Sequence, residues 1–167
     1  MGFDIKSETG QEIQWTGVYW RLMLPLAEQY GWNPAGTLPP EGVSSEEWDG
    51  SYVTNDGQLV TGEDVSALAE AISKAVDADN LDEVANAIYG RQIQEGHALA
   101  SQLIQDLTIE GEPRGRVARL TQALGLMKKE PPPMPEEPEI QRLKQSDVSA
   151  ALAELHEFCG NGAFRIW

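Results

Sequence analysis

The sequence predicts an α+β fold, mainly α-helical, with helices around a small β element. Two observations predict it. Apolar residues recur at helical spacing in several separate stretches, and short β-prone runs lie at the N-terminus, around Asp56 and at the C-terminus. Turn and cap residues stand at the borders between them.

Phe3, Ile5, Ile13 and Trp15 alternate loosely with polar residues, interrupted by Thr9-Gly10 as a turn. Val18, Leu22, Leu26 and Tyr30 then fall four apart, the stripe of an amphipathic helix opened by Thr16 and stopped at Gly31. Pro25 lies inside it and cannot donate to the preceding turn, so a kink or break is expected there. Residues 31–50, rich in Gly, Pro and Ser, read as a surface loop carrying Trp32 and Trp48. Two β-prone runs flank Asn55-Asp56-Gly57, and Asp-Gly suits a tight hairpin turn.

Thr61 followed by Asp64 resembles a capping box with Asp in place of Glu. Val65, Leu68, Ala69, Ile72 and Val76 continue it as a helix. Asn80 opens another through Leu81, Val84, Ala85 and Ile88, and the stripe resumes at Leu99, Leu103, Ile104 and Leu107. Gly90 and Gly96 leave open whether this is one bent helix or two, since each costs about 1 kcal/mol relative to Ala. Pro113 suits the first turn of a helix whose apolar face is Val117, Leu120, Ala123 and Leu124. Half of the ten prolines lie in 131–138, so residues 128–139 read as an extended, Pro-rich strap. Ser146 opens the last helix, with Val148, Ala151, Leu152, Leu155, Phe158 and Cys159 on one face and Gly160 and Gly162 as its stop. The apolar tail Ala163-Phe164-Arg165-Ile166-Trp167 is expected to be tied into the core. The organisation expected is one globular domain over 1–167.

Composition narrows the function. The 167 residues are 41% apolar, enough for a core, which excludes disorder throughout. The net charge of −15 opposes non-specific approach to nucleic acid or an anionic membrane. A single Cys excludes an internal disulfide framework. No run of 18 apolar residues and no leader-like start occurs, so a soluble, cytoplasmic protein without membrane contact is expected. The charge is uneven. Residues 113–129 hold five bases and no acid, and Arg114, Arg116 and Arg119 among them suit oxyanions or an acidic partner.

Chemistry-bearing patterns are sparse. His156 and Cys159 are three apart on one helix, but Cys159 lies on the apolar stripe and reads as a small core hydrophobe. Two His and one Cys do not make a zinc set. Asp77, Asp79 and Asp82 approach a calcium loop, but Leu81 takes the fifth position and no Gly follows. No phosphate-loop motif occurs. No catalytic residue, cofactor or metal ligand is therefore assigned. Trp32 and Trp48 divide between anchoring the loop and meeting a partner, because Trp is favoured at binding hot spots. The candidate partner contacts are Trp32, Trp48, Arg114, Arg116 and Arg119.

Two blocks, Trp48-Asp49-Gly50-Ser51-Tyr52 through Asn55-Asp56-Gly57-Gln58 to Val60, and Phe158-Cys159 with Gly162, Phe164, Ile166 and Trp167, carry a resemblance. They resemble a loose group of small uncharacterised bacterial proteins that pair an NDGQ turn with an F-C-x-x-G-x-F-x-I C-terminus. The resemblance implies a bacterial, cytosolic protein and brings no site residues. The expectation is a non-catalytic acidic interaction protein, of immunity or accessory type, binding a protein partner. A nucleic-acid-mimicking inhibitor of a DNA- or RNA-binding protein is the alternative, and an enzyme with an unrecognised carboxylate site is a second.

Overall fold

A computed structural model describes residues 2–108 and 143–167. The chain divides into two compact units, one made of 1–89 with 142–167 and one of 90–141. Among the described residues are four strands and four helices: β1 (Gly2–Ser7), β2 (Glu12–Thr16), α1 (Gly17–Gln29), β3 (Gln58–Val60), α2 (Gly62–Val76), α3 (Leu81–Thr108), α4 (Gln145–Cys159) and β4 (Phe164–Ile166). The α+β, helix-dominated reading holds. The basic residues Arg114, Arg116 and Arg119 and the strap 128–139 lie outside the described residues.

The sheet is antiparallel throughout, in the order β2-β1-β4-β3. Its two inner strands come from opposite ends of the chain, with Ile5 opposite Ile166 and Ser7 opposite Phe164. The tail is therefore an inner strand, and Phe164 and Ile166 are fully buried. Period-two alternation puts Phe3, Ile5, Trp15, Val60, Phe164 and Ile166 on one face, the buried one. Trp20 of α1 meets that face, its ring 6.2 Å from Phe3, 6.1 Å from Trp15 and 6.4 Å from Phe164. Phe158 of α4 stands 5.5 Å from Phe164. α2 packs on both α1 and α4, burying Val65, Leu68, Ala71, Ile72 and Ala75.

The caps explain where helices begin. The Thr16 and Thr61 hydroxyls accept from the Tyr19 and Asp64 N–H groups, each at 3.4 Å. α1 runs through Pro25 without a break: Leu22, Met23, Leu24, Leu26 and Ala27 are buried around it. That packing outweighs one missing hydrogen bond. α3 is a single helix through Gly90 and Gly96. α4 starts at Gln145, one residue before Ser146, and its cap Lys144 makes no side-chain bond.

One expected element takes a different form. Asn55-Asp56-Gly57 does not join two paired strands. Ser51–Asn55 holds no strand, and β3 pairs instead with β4, with Leu38 bridging to Leu59 on its other side. The reason is Gln58, which is fully buried. Its amide donates to the Ser51 and Thr54 carbonyls at 3.2 and 2.6 Å, and its carbonyl accepts from the Asp56 N–H at 3.0 Å. The backbone that a hairpin ladder would use is spent on one side chain.

Candidate functional site

Between α1 and β3 the chain runs from Gly31 to Gly57 without a helix or a strand, apart from the single bridge at Leu38. Irregular stretches of this length in a compact unit are uncommon and are usually functional when ordered. This one is ordered by buried side chains. Asp64, in the first turn of α2, is only 2% exposed. Its Oδ1 accepts from the Trp32 indole N–H at 3.0 Å and the Ala35 backbone N–H at 3.3 Å. Its Oδ2 accepts from the Tyr52 hydroxyl at 2.5 Å, and that hydroxyl accepts from the Gly36 N–H at 2.9 Å. The Trp32 and Tyr52 rings meet edge to face, 5.2 Å apart. Burial, and then the neighbouring Asp64 carboxylate, push the Tyr52 phenol well above its ordinary value, so it stays a neutral donor.

Further attachments fix the rest of the loop. The Trp48 indole N–H lies 3.1 Å from the Thr37 carbonyl and 3.0 Å from its hydroxyl, and that hydroxyl donates to the Ser51 carbonyl at 2.8 Å. The Trp20 indole donates to the Tyr52 carbonyl at 2.6 Å. At the far end the Arg165 guanidinium donates to the Gly57 carbonyl at 2.6 Å, and the Gly57 N–H to the Ile166 carbonyl at 2.8 Å. Gly57 has φ +90°, and a Cβ there would stand 2.6 Å from the Trp167 ring. Only glycine fits on both counts.

The structure thus separates the tryptophans. Trp32 is 4% exposed and serves as the internal anchor, so its ring is not presented to a partner. Trp48 is partly buried, with its polar edge committed to Thr37. What the loop does present outward is aliphatic and acidic. Leu38, Val43 and Val53 are exposed, as are Glu41, Glu46, Glu47, Asp49 and Asp56, and 31–57 contains no Lys or Arg. Tyr52, Gln58 and Asp64 are the anchoring residues that sequence reasoning missed. The available signal was Asp64 itself: Asp is one methylene shorter than the Glu that closes a capping box.

His156 is exposed while Cys159 is buried, and burial pushes the Cys159 thiol up to about 12, away from the nucleophilic thiolate. Among the described residues, no group of three or more His, Cys, Asp and Glu stands close enough to hold a metal ion. No described helix is long and apolar enough to cross a membrane. Asp64 has both oxygens committed to holding the loop, which makes it an anchor rather than a free base. Fold and site together define a four-stranded antiparallel sheet, helical on its buried face, that braces a long acidic loop. No protein-family model, curated protein or solved structure matches the chain.

Proposed function

We propose that the protein is a non-catalytic interaction protein whose braced 31–57 loop docks on a protein partner. The observation that carries this reading is the combination of an internally fastened loop with an outer surface of three exposed aliphatics among five acids. Fastening removes the ordering cost that a flexible loop meets on association. Exposed Leu38, Val43 and Val53 supply apolar contact, and the exposed acids of the same loop select a basic partner and speed its approach. The bacterial, cytoplasmic setting implied by the sequence resemblance suits an immunity-type or accessory role.

The test is co-purification of the tagged full-length protein from its host, beside the variant Val43→Asp/Glu46→Lys/Glu47→Lys. These positions are exposed, so the variant keeps its fold. A protein held by the parent and lost by the variant supports the reading; equal retention by both overturns it. The acid-rich loop also favours a second reading, nucleic-acid mimicry. That reading predicts that the captured protein binds DNA or RNA, and that this chain competes with it.

A further inference from the structure

We propose that the outer edge of β2 is a second docking site, which takes an extended basic segment of a partner as an added strand. The observation is a matter of strand parity. The Asp4 N–H and carbonyl both bond to Trp167 at 2.8 Å, so the even residues of β1 face β4. The odd residues of β1 therefore face β2, and their register partners Ile13 and Trp15 face back. This leaves the N–H and carbonyl groups of Glu12 and Gln14, and the N–H of Thr16, directed away from the sheet. β2 is an edge strand, with no strand beyond it among the described residues.

Edges of this kind are ordinarily blunted by proline, by lysine or by a bulge. β2 has neither proline nor lysine, and its register with β1 runs unbroken from Glu12 to Thr16. A carboxylate stands near it on each face, the outer one paired with a lysine of β1. Glu12 stands on the outer face, where one oxygen meets the Lys6 ammonium at 3.4 Å. Glu154 of α4 stands on the helical face, where Oε2 accepts from the Trp15 indole N–H at 3.0 Å. Each carboxylate has a second oxygen for an incoming cation. Directly opposed residues in paired strands point to the same face. A basic residue opposite Glu12 and another opposite Trp15 would thus reach Glu12 and Glu154, one on each face. The partner is defined by that spacing: two Lys or Arg three residues apart in an extended segment, β-prone between them. A second copy of this chain fits less well, because it brings another net charge of −15.

The probe is the blocked peptide Thr-Lys-Val-Val-Arg-Thr, compared with its twin carrying Glu at both basic positions. Amide hydrogen exchange on the full chain is the readout. The basic peptide should slow exchange at Glu12, Gln14 and Thr16 about tenfold at saturation, and the acidic twin should not. Glu12→Gln and Glu154→Gln should each weaken binding up to about fivefold, the scale of an exposed charge pair. Gln14→Pro should abolish binding with the melting temperature unchanged, since it deletes an N–H the fold does not use. Should Gln14→Pro unfold the protein, the two glutamine variants decide. The proposal is overturned by no slowing at millimolar peptide, or by equal slowing with the acidic twin. It is equally overturned by protection that grows with protein concentration alone, which would make a second copy the occupant. β2 lies outside the 31–57 loop, so its failure leaves the loop reading standing.

Discussion

Replacing Asp64 by alanine strands three donors at once: the Trp32 indole, the Ala35 N–H and the Tyr52 hydroxyl. Buried groups left unpaired cost roughly 1–3 kcal/mol each, and relaxation recovers part of that. A total loss of about 3 kcal/mol or more is expected, read from the urea midpoint, with Trp32 fluorescence shifted towards that of exposed indole. A loss below about 1 kcal/mol would show that the loop is held elsewhere. Gly57→Ala should cost about 1–3 kcal/mol through its positive φ and its collision with Trp167. Trp167→Ala in the same chain should return the collision part only, leaving the backbone strain. Proton linkage acts on the same scale. Cys159 is lifted to about 12 from an ordinary value of 9.0, so above pH 9 the folded state keeps a proton that the unfolded chain releases. Its contribution is complete below pH 9 and declines as pH rises towards 12, by at most about 1.4 kcal/mol per unit. Tyr52, also raised, adds a decline of the same sign from its ordinary 10.0 upward. Stability measured against pH should fall above 9, and Cys159→Ala should flatten that first decline.

β4 belongs to the interior of the sheet, between β1 and β3, so its loss divides the sheet rather than trimming it. Removing residues 163–167 deletes the fully buried Phe164 and Ile166, each contributing roughly 1.5–3 kcal/mol, in a fold whose total is commonly about 5–15. The shortened chain should show no cooperative melting by calorimetry; a transition like the parent's would make the tail dispensable. This element was legible in the sequence through Phe164 and Ile166, which alternate and are both buried, whereas Trp167, expected in the core with them, is 47% exposed. The helices were legible because period 3.6 is written in residue type, although Val18, Val76, Leu99 and Leu103 of those stripes are exposed. The absence of a hairpin at Asp56 was not legible, because residue pattern gives Gln58 a solvent role and does not foresee a buried side chain that replaces a ladder. The 31–57 anchor was half legible. Trp32 and Trp48 were visible as anchors or contacts, but the acceptor Asp64 lies on a different element, and only the fold brings it under the loop. The continuity of α3 through Gly90 and Gly96 was left open by propensity, which is weaker than helix cooperativity over 28 residues.

At the scale of the whole molecule the field of −15 charges dominates encounter. Neither DNA nor RNA should shift in a mobility assay at physiological salt, despite the five bases in 113–129. A shift abolished by replacing Arg114, Arg116 and Arg119 together would overturn that expectation. Capture of a basic partner, by contrast, should weaken as salt rises, because screening shortens the reach of exposed charges to about 8 Å at 0.15 M.

The pairing of Ile5 with Ile166 also sets a timetable. β1 and β2 leave the ribosome before the other strands and can pair on local contacts, as a hairpin that is marginal by itself. The strand that completes β1 on its other side is made last of the described elements. At about 5–20 residues per second, the hairpin waits roughly 8–30 s with that side of β1 unpaired. Throughout the wait Phe3, Ile5 and Trp15 lie in two strands without β4 beside them, and the open side of β1 is a template for any strand nearby. Yield during synthesis should therefore depend on chaperone supply and on translation speed, more than the stability of the finished fold would suggest.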